Sequence, residues 1–176
     1  MGQSTDAILF YGYGWTEETS HPWTIGADNA DEEADGNGDE DWEDRYARGK
    51  DCLPPSTPFP ERTVKPTREN GWSSTPKDYS PAEQAIIDQH KAYWAAKRAI
   101  VEAATCCVGT HCSGECPMPY VAVKVSETTA SRGSMEEITS LAVDPAWDTE
   151  LAAFCAAMGI KIDGKKAAWW LVSNWN

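Results

Sequence analysis

Apolar positions in this chain gather in six short stretches, and a long region without any period separates the first from the second. The first stretch, Asp6–Tyr11 (DAILFY), is stopped by Gly12 and Gly14. An apolar run of that length between breakers predicts a buried strand. From Thr16 to Tyr79 no period is sustained, and Pro54, Pro55, Pro58, Pro60, Pro66 and Pro76 forbid a continuous helix or central strand. Helical spacing then begins at Ser80. Ser80 as N-cap, Pro81 at the first helical position and Glu83 two residues later make a capping box. Ile86, Tyr93, Ile100, Val101 and Ala104 recur on one face, and alanine-rich stretches carry the helix to about Thr105.

The cysteine-rich segment CCVGTHCSGECPMP reads as a loop. Pro119 then opens a strand, YVAVKVSETT, with Val121, Val123 and Val125 on one face and Tyr120, Ala122 and Lys124 on the other. Arg132-Gly133 marks a turn, and MEEITSLAV reads as a further strand. Asp144-Pro145 supplies a cap and first residue for a second helix with the stripe Trp147, Leu151, Phe154, Cys155 and Met158, stopped by Gly159. The final stretch, AAWWLVSNWN, suits a pleated surface. The order β, long loop, α, β, β, α, β predicts one α+β domain over 1–176, a small mixed or antiparallel sheet covered by two main helices. A largely irregular insertion at 16–79 contains an acidic part, 28–44, and a Pro-rich part, 53–76. Trp15, Trp23, Trp42, Phe59 and Trp72 in and around it are expected to dock on the core.

Charge changes this picture in one place. Of 28 acidic residues, ten lie between Asp28 and Asp44 with no Lys or Arg among them, so the rest of the chain carries only −3 of the net −13. Mutual repulsion predicts a solvated loop there, which repels nucleic acid and attracts a basic protein surface or a divalent cation. Asp39, Glu40, Asp41, Glu43 and Asp44 around the aromatic anchor Trp42 form the candidate partner-binding group. The scattered cations Arg62, Lys65, Arg68, Lys161, Lys165 and Lys166 are too sparse for direct nucleic-acid binding. The first residues carry no secretory leader pattern, and no run approaches the roughly 18 apolar residues of a membrane span. A cytosolic protein with its six cysteines mostly reduced is the expectation.

Two metal patterns are present, and neither is complete. Counting from Glu33, oxygen ligands fall at Glu33, Asp35, Asn37, Asp41 and Asp44, with Gly38 at the required sixth position of a calcium loop. The first and last ligands and the hydrophobic eighth position depart from that pattern, and a merely solvated loop accounts for the run equally. Cys107, His111, Cys112 and Cys116 offer ligand types suited to zinc, although no separated second pair follows, and reduced structural cysteines are the alternative. No cofactor is otherwise expected. A small-molecule reading places a stacked base among Tyr11, Tyr13 and Trp15, with phosphate at Lys124 or Arg132. Trp169, Trp170 and Trp175 put rings on both faces of one strand, for core packing or for an exposed interface. No nucleophile is paired with a base, so catalysis is not expected.

The segments DAILFYGYGW, EDWEDRYA, HCSGECPMPYVAVK and WWLVSNW together resemble a group of small accessory proteins encoded by tailed bacteriophages. That resemblance spans most of the chain and is weakest in its Pro-rich middle. It implies the cytoplasm of an infected bacterium as the place of action, and a host protein or complex as partner, such as an antiviral defence system. It carries no chemistry and assigns no residue a role.

Overall fold

The computed structural model of the chain describes residues 5–16, 21–25, 41–60, 79–162 and 164–175. The described residues form a five-stranded mixed sheet and three α-helices, as an α+β reading requires. The elements are β1 (Thr5–Gly14), α1 (Trp42–Gly49), α2 (Pro81–Ala103), β2 (Cys106–Ser113), β3 (Pro117–Val123), β4 (Thr128–Ala130), α3 (Trp147–Met158) and β5 (Ala168–Trp175). No helix among the described residues is long and apolar enough to cross a membrane.

β1 is the centre of the sheet. On one side it pairs antiparallel with β5 from Thr5↔Trp175 to Gly12↔Ala168. On the other it pairs with β4 at Ala7–Leu9 and with β3 at Gly12–Gly14. β2 is antiparallel to β3, and its last residues, Cys112 and Ser113, run parallel to Asn174 and Trp175 of β5. These pairings close a circuit β1–β5–β2–β3 that a flat sheet cannot make, so the sheet is strongly curled. Gly12 sits where the curl is tightest: a Cβ there would lie 1.9 Å from the Val121 carbonyl oxygen.

Alternation along β1 sends its side chains into two cores. Tyr11 and Tyr13 join Trp15, Val121, Val123, Leu151, Phe154, Cys155 and Met158 under α3. Ile8 and Phe10 join Tyr120 and Ala122 in a smaller cluster on the opposite face, where the Phe10 and Tyr120 rings stack at 4.2 Å. α1 fastens α2 to the rest. Its Tyr46 and Trp42 rings lie 4.7 and 6.0 Å from Phe154 of α3, and Arg45 Nε donates to the Met158 carbonyl at 2.6 Å. On its other side Asp44 meets Lys97 of α2 at 2.6 Å.

Local signals predict several ends correctly. Ser80 and Glu83 cap α2 reciprocally, and Gly159 closes α3 in the left-handed conformation. Four expectations need correction. CCVGTHCS is a strand and not a loop, because β3 offers it a full antiparallel partner. The strand expected through YVAVKVSETT is broken by a tight turn at Lys124–Ser126, where Ser126 Oγ accepts from the Tyr11 N–H at 2.9 Å and Val125 is turned outward. MEEITSLAV forms no strand, since no neighbour among the described residues pairs with it. The cap and start expected at Asp144-Pro145 fall two residues early, since Ala146 is the N-cap of α3 and Asp144 accepts from the Ala146 N–H at 2.8 Å in the turn before it; a short further helix, α1, lies within the insertion. Part of its Pro-rich segment docks on α2, where His90 Nε2 lies 2.9 Å from the Thr57 carbonyl and its ring meets Phe59. Trp72 lies outside the described residues.

Candidate functional site

The acidic run enters the described structure only at its end. Glu33, Asp35, Asn37, Asp39 and Glu40 lie outside the described residues. Asp41 caps α1 by accepting from the Glu43 N–H, an arrangement that satisfies an orphan donor and opposes the helix dipole. Asp44 accepts from Lys97 Nζ at 2.6 Å and from the Tyr93 hydroxyl at 3.3 Å. Lys97 is only 6% exposed. Burial pulls its pKa down, but the hydrogen bond and charge of Asp44 outweigh this and hold it above the ordinary lysine value. Trp42 packs on Phe154 and beneath Lys124 Nζ. Asp41, Trp42 and Asp44 therefore hold α1 in place, and Glu43 faces a depression of about 380 Å³ with Trp94, Arg98 and Glu102.

The four candidate zinc ligands lie along a hairpin. Cys107 and His111 share one face of β2 but stand four residues apart, about 13 Å, while Cys112, with a φ of 78°, breaks the regular alternation and Cys116 lies in the connection to β3. Among the described residues no group of three or more potential metal ligands comes together. Cys107 Sγ lies 3.7 Å from Glu127 Oε2, which also accepts from the Tyr120 hydroxyl at 3.3 Å. Burial and that carboxylate push the Cys107 thiol up to about 12, and burial pushes Cys106 to about 11 and Cys155 to about 12. Thiols held protonated this firmly are poor nucleophiles.

The small-molecule set does not converge either. Tyr11, Tyr13 and Trp15 are buried under α3, and the Tyr11 hydroxyl donates to Asp148 Oδ1 at 2.8 Å. Lys124 Nζ donates to the Val101 carbonyl at 2.9 Å, and Arg132 lies at the far end of β1, its N–H bonded to Asp6.

What the fold leaves open is apolar. Trp169, Leu171, Ser173 and Trp175 occupy one face of β5, the face on which Trp169 meets Tyr11 and Trp147 beneath α3. Beyond Trp169 the roof ends: Leu171 is 71% exposed and Trp175 49%. Leu9, the cross-strand partner of Leu171, is half-buried. An irregular arm, residues 131–143, follows β4 and is tethered where the Leu141 carbonyl accepts from Trp169 Nε1 at 2.8 Å. Met135 on this arm is 97% exposed, and Ile138, Leu141 and Val143 are exposed as well. Arm and strand thus meet at Trp169, and both expose apolar side chains of the kind that mark protein-binding sites. The tryptophan pattern of β5 signals this surface, because a strand apolar on both faces needs cover on both; nothing in MEEITSLAV foretells that the arm contributes. No protein-family model matches the chain, and neither a curated protein nor a solved structure matches it.

Proposed function

We propose that this chain is a non-enzymatic phage accessory protein that binds a protein of the infected host, a component of an antiviral defence complex being the target class. The observation that carries this reading is the exposed apolar surface of Leu171, Trp175, Ile138 and Leu141 on a well-packed sheet. Desolvating aliphatic and tryptophan side chains of this size on contact supplies affinity. The acidic run supplies encounter: its net negative charge draws a basic target in and raises the association rate. The phage resemblance favours a host protein over a substrate.

The test is affinity capture from extract of the infected host, using the tagged full chain and a Leu171→Asp/Trp175→Ser variant with unchanged circular dichroism. The proposal expects one host protein retained by the native chain and depleted at least about tenfold with the variant, the loss typical of a disrupted interface centre. Equal retention by both chains, or retention by neither, overturns it. Asp39→Asn, Glu40→Gln and Glu43→Gln together, which spare the structural Asp41 and Asp44, are expected to slow association and flatten its salt dependence.

A further inference from the structure

The arm after β4 carries the sequence signals of a helix that the free chain does not form. Ser134, with Glu137 three positions on, repeats the capping box that starts α2 at Ser80 and Glu83. Glu136 and Glu137 would then stand in a first turn, where the helix dipole favours acids. Winding 135–142 at about 100° per residue puts Met135, Ile138, Leu141 and Ala142 on about one third of the surface. Glu136, Glu137, Thr139 and Ser140 fall on the rest. Pro145 disfavours helix at Asp144 and so sets the far end.

Alone, the arm has nothing to wind against. Every residue from Ser131 to Ala146 is exposed. Among the described residues, 135–143 make no backbone–backbone hydrogen bond. The Ala142 N–H is taken by Ser140 Oγ at 3.0 Å, a local bond that competes with the helical one. Residues 135–143 are fewer than the roughly 12–15 that a helix needs on its own in water, and Ile138, Thr139 and Val143 are β-branched. Two other bonds already suit a helix. Ser134 Oγ donates to the Ser131 carbonyl at 2.7 Å, which leaves its lone pairs for the Glu137 N–H. Trp169 Nε1 donates to the Leu141 carbonyl at 2.8 Å. In a helix ending near Val143 that carbonyl is among the last four, which have no helical partner.

Resting on the binding reading above, we infer that the arm folds into an amphipathic helix on docking in an apolar groove of the host protein, rimmed by lysine or arginine. Met135, Ile138, Leu141 and Ala142 enter the groove, which supplies the packing that the arm lacks alone. The rim charge follows from the arm itself. From Gly133 to Ala146 the charged side chains are Glu136, Glu137 and Asp144, while Arg132, Lys165 and Lys166 stand outside it. Glu137 borders the apolar stripe, one helical turn before Leu141. A second copy of this chain, at net −13, offers a poorer match.

The test changes Thr139, which lies off the stripe, in the full chain. Thr139→Pro blocks winding and Thr139→Ala favours it, and both are expected to keep the native melting temperature because the residue is exposed. In trifluoroethanol the Cα chemical shifts of 135–142 are expected to turn helical in the native chain and in Thr139→Ala, but not in Thr139→Pro. Shifts that stay irregular in the native chain overturn the inference, whatever capture retains. Against the host protein retained by capture, Thr139→Pro is expected to bind at least about tenfold more weakly than Thr139→Ala. Equal binding by the two overturns the inference and leaves the function standing, whereas capture that retains nothing overturns both. Glu136→Lys/Glu137→Lys is expected to reverse the salt dependence of binding, and a native affinity indifferent to salt contradicts the basic rim. In sedimentation velocity of the chain alone, a dimer that Ile138→Asp converts to monomer assigns the arm to a second copy and also overturns the inference.

Discussion

At Tyr11 and Trp169 the sheet is roofed by α3, whereas at Leu9 and Leu171, two residue pairs further along the same two strands and the next pair on that face, the roof is gone and Leu171 is exposed. The two halves are built from similar residues, so composition does not distinguish them. Length does. α3 has twelve residues and spans about 18 Å, while the eight residues of β5 span about 26 Å, and α3 starts over Tyr11. Under the helix, large side chains interlock and Tyr11 is locked to Asp148. Beyond it the arm crosses without filling the gap, and the same kind of apolar strand becomes available to a partner.

The hardest way to break the comparison is to damage the roofed half. Leu151→Ala removes a side chain with no exposed surface and is expected to cost about 3 kcal/mol in denaturant unfolding, through lost transfer energy and the cavity left behind. Asp44→Ala follows at about 1–2 kcal/mol: it strands the buried Lys97 ammonium, but the carboxylate it removes is 40% exposed and already partly screened.

Alkali should act on the roofed half as well. Burial raises Tyr11 from 10.0 to about 12, helped by the hydrogen bond to Asp148, and raises Cys155 from 9.0 to about 12. A group whose pKa is higher folded than unfolded lends its full stabilisation below the unfolded value and loses it as pH climbs to the folded one. Melting temperature is therefore expected to hold steady up to about pH 9 and then to fall through about pH 12. A flat profile across that window would contradict the burial of these groups. The smallest effect belongs to the bare half, where Leu171→Asp is expected to shift stability by no more than about 0.5 kcal/mol while removing partner binding.

Features set by near neighbours were legible in the sequence. The Ser80–Glu83 box and the Gly159 stop each need only residues within one helical turn, and each stands where the pattern puts it. Features set by distant partners were not. CCVGTHCS lacks clean alternation, and its strand conformation is imposed by β3. MEEITSLAV has the composition of a strand, yet no neighbour completes it. Nothing local to α2 foretells the burial of Lys97, which is paired with Asp44, 53 positions earlier. The same long-range contact takes Asp44 out of the solvated loop that its local charge density predicts, while Asp41 leaves it by capping α1. Exposed tryptophan on β5 was foreseeable from rings on both faces; which part of β5 stays open depended on the length and placement of α3.

Amide hydrogen exchange of the full chain, free and bound to the captured host protein, tests the central claim most directly. In the free protein, α3 and the paired residues of β1 should exchange slowly and residues 134–143 within the fastest class. On binding, protection is expected to appear in 134–143 and 168–173, with α1 and α2 unchanged. Protection confined to α1, α2 or the acidic run, with 168–173 unaltered, would contradict the account.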